Sequence, residues 1–414
     1  MEPVATLSEE LPGQPIVDSL YARRPAAALL AVGSIGAAAL CFVTGENLIV
    51  GLLPQVSAAL HTSLSATGLL VTFYAIVVVL VSVPLTRLTR TITRRWLLSG
   101  LLAMFVLGTL GVVLAPSYGW VLAARIVVAL AQALFWSIAP VTAAGLFSPQ
   151  ARARAVAGIY VGTSGAVIVG IPAGTWIGQQ FGWRVPFLAL AGVGLLCLIG
   201  TLALLPTSKP SESHAAAGSA PDARRYRVIV ITTALAVAAF FVVFTYISPF
   251  LTRVSGLPSH AVAPMLLVGG VGGTLGIAGL GAFYERHPTA ATILPVALLM
   301  VSLSCFFVFG KAGYVVAIFL ALDAIALGGL TIAMQTTVLV VAPRSADIAT
   351  AWYSAAFNVG IGGGPLIGAV VLSTWGLRYT PLVAAFLAAL ALAVLLSGTN
   401  LRPRRLAPRS GQLS

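Results

Sequence analysis

Three charged side chains in this 414-residue chain stand where charge is expensive. Of 23 Lys and Arg and 10 Asp and Glu, only Glu46, Arg125 and Asp323 lie deep inside long apolar runs. The rest fall in short stretches between the runs or at the termini. A charge at bilayer depth costs at least ~2.5 kcal/mol on insertion scales, so it persists where it is paired, hydrated or used. The three therefore mark a path for protons or a charged solute through a membrane protein.

Each residue type brings its own chemistry. Glu46 can load and release a proton, or can sit in an outer vestibule as a hydrated carboxylate with no role. Arg125 does not readily lose its charge and, once buried, needs an anion or several carbonyl acceptors. Gln132 and Trp136 follow Arg125 at +7 and +11, which puts all three on one helical face and reads as a cavity wall. The alternative for Arg125 is a structural tether to carbonyls of the first span. Asp323 lies near the middle of the tenth run, roughly at the repeat position of Arg125. Proton carrier, substrate contact and helix packing all remain open for it.

Composition sets the class of protein that must position these groups. Hydrophobic residues make up 59% of the chain and charged ones 8%, with mean hydropathy +1.03. Soluble domains carry about 25% charged residues. The net charge of +13 does not indicate a nucleic-acid partner, because the basic residues, nearly all Arg, gather in turns between apolar runs. That distribution fits topology determinants facing anionic lipid. Cys41, Cys197 and Cys305 lie inside apolar runs without a CxxC pattern, and the four His share no ligand spacing. No metal, cofactor or enzymatic constellation is expected.

A span needs about 20 apolar residues to cross the hydrocarbon. Such runs fall near 26–53, 64–85, 96–115, 118–146, 155–177, 185–205, 228–252, 262–284, 291–309, 313–341, 351–373 and 380–398. Lipid demands that backbone polar groups be satisfied within each segment, so the runs predict twelve helices. With a cytoplasmic N-terminus, 18 Lys and Arg face inward, four (Arg184, Arg253, Lys311 and Arg378) face outward, and Arg125 is in a span. That bias predicts both termini in the cytoplasm of a multi-pass inner or plasma membrane protein. Residues 1–25 carry four acids before the first basic residue, so they read as a cytoplasmic tail and not as a cleavable signal.

The polar stretch 206–227, rich in Ser, Ala and Pro, reads as a flexible cytoplasmic linker between six-helix bundles at 26–205 and 228–398. Residues 399–414 form a C-terminal tail. The halves repeat: Pro172 and Pro365 are 193 residues apart, and Arg184 and Arg378 are 194 apart. Two pseudo-symmetric halves are the architecture of one large class of secondary transporter.

Three motifs carry a resemblance: Thr44 to Pro54 (T-G-E-N-L-I-V-G-L-L-P), Leu122 to Ala133 with Arg125, and Gly158, Gly162, Gly170, Pro172 and Gly174 ending in G-W-R. In these the chain resembles the major facilitator superfamily, in its twelve-helix drug:proton antiporter branch, and most closely the bacterial sugar-efflux and chloramphenicol-resistance group. The loop between the second and third helices departs from the superfamily pattern, keeping the basic cluster but no acid between Pro84 and Arg95. That loss is common in the sugar-efflux group.

The resemblance implies a monomeric, proton-coupled exporter of a small uncharged or amphipathic compound, an antibiotic such as chloramphenicol or a sugar. Glu46 and Asp323 would carry the proton. Arg125, Gln132, Trp136, Tyr74, Tyr246, Tyr353, Phe357 and Asn358 would bind substrate or line the cavity. Gly162, Gly170, Pro172 and Gly174 would let the fifth helix approach its neighbour and bend. The alternative on the same fold is a proton-symport importer of a nutrient.

Overall fold

The structure is a computed structural model that describes residues 25–89, 91–146, 152–205, 221–343 and 346–399. Among these residues twelve helical segments are long and apolar enough to cross a membrane. Spans 1 to 4 are Pro25–Ala59, Leu64–Leu88, Arg94–Val113 and Tyr118–Gly145. Span 5 joins Arg152–Gly165, a π-helical turn at Ala166–Gly170, and Ile171–Phe181. Span 6 is Val185–Leu204. Span 7 joins Ala223–Phe244 and Ile247–Arg253. Spans 8 to 12 are Val262–Arg286, Pro288–Phe309, Val316–Val341, Ala346–Thr374 and Thr380–Thr399.

Two local features depart from the sequence reading, and each has a residue behind it. The apolar run 228–252 predicts an unbroken span 7, yet its helix stops at Phe244 and restarts at Ile247. Pro249 explains the break, since it offers no N–H to Thr245 and its ring crowds that carbonyl. Span 7 also starts at Ala223, inside the stretch read as linker, because the Asp222 side chain accepts from the N–H groups of Arg224 and Arg225 and caps the helix. Residues 206–220 lie outside the described residues. In span 5 the N–H of Ile171 reaches back to the Ala166 carbonyl, so a π turn absorbs the bond that Pro172 cannot make.

The repeat seen in sequence is built in backbone. Gly182 and Gly376 end spans 5 and 11 at φ +94° and +91°, a region that favours glycine. Arg184 then donates from Nε to the Val113 carbonyl at 3.0 Å and from Nη2 to that of Ala115 at 2.8 Å, closing the end of span 3. Its counterpart Arg378 lies over the Phe307 ring of span 9.

The halves meet through span 2 against span 11 and span 5 against span 8. Three hydrogen bonds cross between them among the described residues, all in the half of the bundle distal to Pro25 and Thr399. Thr72 Oγ1 donates to the Gly362 carbonyl at 2.8 Å, Ser65 Oγ to that of Ala369 at 3.3 Å, and Gln179 Nε2 to that of Ser259 at 2.7 Å. Val50, Leu53, Val71 and Ala75 join the core of the C-terminal half at the same level. The distal end is closed.

Candidate functional site

Span 1 carries Glu46 into the N-terminal bundle, where it meets span 4. The residue is 8% exposed, against 3% for Arg125, 3% for Gln132 and 1% for Tyr74, so the hydrated-vestibule reading of Glu46 is excluded in this conformation. Gln132 Nε2 donates to Glu46 Oε2 at 2.8 Å, and the Tyr74 hydroxyl donates to Gln132 Oε1 at 2.7 Å. Three spans are thereby joined by one short chain of polar groups.

Arg125 and Glu46 come together as their depths suggested, but through the main chain. Arg125 Nη1 donates to the Gly45 carbonyl at 3.1 Å and Nη2 to the Glu46 carbonyl at 2.9 Å. Its plane lies 4.9 Å from the centroid of the Tyr74 ring, a cation–π contact. Nε has no partner, and Arg125 lines, with Gly45, Tyr74 and Thr109, a void of about 10 Å³, the lower limit of room for one water. The tether to span 1 carbonyls, one of the two readings open in sequence, is the geometry found. The Glu46 carboxyl is left facing a neutral amide.

The helical face of Arg125, Gln132 and Trp136 splits along its length. Arg125 and Gln132 turn into the bundle instead of walling an open cavity. Trp136 is half-buried and stacks on Tyr160 of span 5, ring centroids 6.5 Å apart and 26° between planes. Tyr160, which the sequence reading did not single out, is 47% exposed and lies within electrostatic reach of Tyr353 in the other half. Tyr353 donates to the Thr331 carbonyl at 3.1 Å and packs on the half-buried Phe357. Asn358 bonds its own helix, at the Ser354 carbonyl.

Tyr74 and Tyr246, expected on the cavity wall, are both fully buried. Span number alone misplaced them, because each ring's direction is set by helix rotation. Tyr246 sits at the break in span 7 and donates to the Pro365 carbonyl at 3.0 Å. Its hydroxyl occupies the space that a Cβ on Gly68 of the opposite half would fill, making it part of the distal closure.

Asp323 is 3% exposed and Oδ1 has no hydrogen-bond partner. It lies beside Ser302 of span 9, whose hydroxyl donates to the Phe319 carbonyl at 2.8 Å. Ser302–Phe319 is the repeat counterpart of Gly108 against Ala124, so Asp323 lies about one turn beyond the equivalent of Arg125. It faces a neighbouring helix of its own half, well apart in sequence and bundle from Glu46.

The span 5 glycines face span 1. A Cβ on Gly162 would strike the Gly36 carbonyl oxygen, one on Gly170 would strike Thr44 Oγ1, and one on Gly174 would meet Leu48 Cδ1 at 2.7 Å. The close approach between halves in span 5 is at Val167, whose carbonyl abuts Gly270. The obstacle at Gly162 is backbone and at Gly174 a movable side chain. Gly162→Ala is therefore expected to cost about 1–3 kcal/mol of stability, and Gly174→Ala less, read as thermal unfolding of the detergent-solubilised proteins. Equal midpoints for both would show that span 1 yields at Gly36.

A model of the family described as Major Facilitator Superfamily matches residues 35–346. The chain belongs to that superfamily. A probable sugar efflux transporter of Mannheimia succiniciproducens is 34% identical over 360 residues, covering 86% of this chain and 90% of that protein. A crystal structure of a nucleoside transporter superposes with TM-score 0.72 at 12% identity, covering 89% of this chain and 99% of the other. A bacterial homologue of the human lysosomal transporter Spinster, inward-facing and unoccupied, gives TM-score 0.69 at 19% identity over 94% and 98%. This superfamily member is a multi-pass membrane transporter and not an enzyme.

Proposed function

We propose that the chain exports a small uncharged compound of the sugar class in exchange for protons, with both termini in the cytoplasm. The carrying observation is the Glu46 carboxyl: buried, distal in span 1, and bonded to a neutral amide and not to a cation. Such a group can hold or release a proton without breaking an ion pair, whereas a buried paired carboxylate resists protonation. The 34% identical sugar efflux relative supports the cargo class. Rings contributed by Trp136, Tyr160, Tyr353 and Phe357 supply apolar faces with polar edges, suited to compact amphipathic cargo.

On this orientation the closed distal end faces outward, and the state described is the one that loads cargo from the cytoplasm. Binding of an external proton at Glu46 would favour the outward-open state and cargo release; deprotonation inward would reset it. Asp323, whose Oδ1 has no hydrogen-bond partner and which sits in the other half, is the second proton candidate. An antibiotic such as chloramphenicol as cargo is distinguished by direct assay.

Two measurements test the proposal. Proteoliposomes with an imposed pH gradient should move one or more monosaccharides or disaccharides against their gradient; movement of chloramphenicol alone would replace the cargo class. A cysteine at Ser211, in a chain lacking the three native cysteines, should resist a membrane-impermeant thiol reagent in intact cells. Labelling from outside would reverse the orientation and with it the direction of transport.

A further inference from the structure

We infer that Gln132 is the positioning residue that couples proton binding to the seam between the halves: its amide reverses when Glu46 is protonated, and Tyr74 passes the reversal to span 2. The inference rests on the proton-coupled reading above and adds how the proton is sensed.

A primary amide has one acceptor oxygen and two donor hydrogens at opposite ends of one rotatable group. As found, Nε2 serves Glu46 Oε2 and Oε1 serves the Tyr74 hydroxyl, an arrangement suited to an ionised, acceptor-only carboxylate. Protonation gives Glu46 an O–H that needs an acceptor. The charged and titratable groups facing it are Arg125 and, beyond that, Tyr118 on span 4, and Tyr74 on span 2. Arg125 can only donate. Among the other elements packed on span 1, span 6 offers Cys197, which faces Cys41, and span 5 offers Tyr160, which stacks on Trp136. Span 3 offers Arg94 and Arg95 in its first turn, and the distal segment of span 7 offers Arg253 in its last.

The acceptor to hand is the Gln132 oxygen, reached by turning the amide over. Its NH2 then faces the Tyr74 hydroxyl, which must accept where it had donated and turn its own hydrogen away. The proton stays on Glu46 throughout; Gln132 and Tyr74 only exchange donor and acceptor roles.

Span 2 converts that exchange into a signal between halves. Thr72 lies two residues before Tyr74 and so on the opposite side of the helix, where its hydroxyl holds the Gly362 carbonyl of span 11. One face of span 2 senses Glu46 while the other holds the distal seam. Ser65, Thr72 and Gly68 all belong to that seam face.

The test uses the full-length chain with its native cysteines replaced and a reporter pair, Ser65→Cys with Ala369→Cys, across the seam. Cross-linking yield with a bifunctional thiol reagent is measured over a pH series, alongside the infrared carboxylic acid band that Glu46→Gln removes. With Gln132 and Tyr74 present, yield should fall about tenfold on acidification, the scale of losing the Thr72–Gly362 hydrogen bond of the seam, and should follow that band. Gln132→Leu and Tyr74→Phe should leave the band titrating and the yield flat. Tyr74→Phe removes one oxygen and keeps the test usable should Gln132→Leu misfold. A yield that still follows the band in Tyr74→Phe overturns the relay and spares the proton-coupled function. A Glu46 band that never titrates overturns the relay together with the Glu46 proton role, which then passes to Asp323.

Discussion

Glu46→Gln should bind cargo yet lose accumulation driven by a pH gradient, falling to the level of protein-free liposomes. The amide keeps the shape of the side chain and an oxygen for Gln132 Nε2 to bond, so the network of spans 1, 2 and 4 survives the change. Only titration is lost. Cargo binding measured by equilibrium dialysis separates this outcome from unfolding. The decisive comparison is Asp323→Asn, which alters a carboxyl packed beside Ser302 in the other half. Full gradient-driven transport in Glu46→Gln with loss in Asp323→Asn would transfer the proton role to span 10. Full transport in both single variants would leave the exchange without a carrier.

The parts of this architecture written as hydropathy were legible in the sequence, and the parts set by helix rotation were not. Twelve spans follow from the absence of water in the bilayer core, and Gly182 and Gly376 announce the repeat because both turns need positive φ. The +7 spacing of Arg125 and Gln132 gave their shared face, since both lie on one continuous helix. Tyr74 was misplaced because its span does adjoin the other half, but its ring turns the opposite way, under Arg125. Tyr160 left only the weak signal of a lone tyrosine in an apolar run. The break at Thr245 and Tyr246 did have a signal in Pro249, four residues beyond the carbonyl it frees.

Arg125→Lys should remove gradient-driven transport and lower thermal stability by about 1.5–3 kcal/mol, the value of one hydrogen bond to a charged group. The guanidinium holds two consecutive carbonyls of span 1, at Gly45 and Glu46, with separate nitrogens while its face rests on Tyr74. A lysine ammonium is a point donor without that plane, so it can hold one carbonyl at best and loses the stacking. Releasing either carbonyl lets span 1 rotate, and Glu46 then leaves the reach of Gln132. Arg125→Met separates charge from grip. If the tether is what matters, Lys and Met should fail alike in transport assays; if the charge itself tunes Glu46, Lys should retain most of the function. Wild-type transport and an unchanged unfolding midpoint in Arg125→Lys would show that span 1 holds its register without the fork.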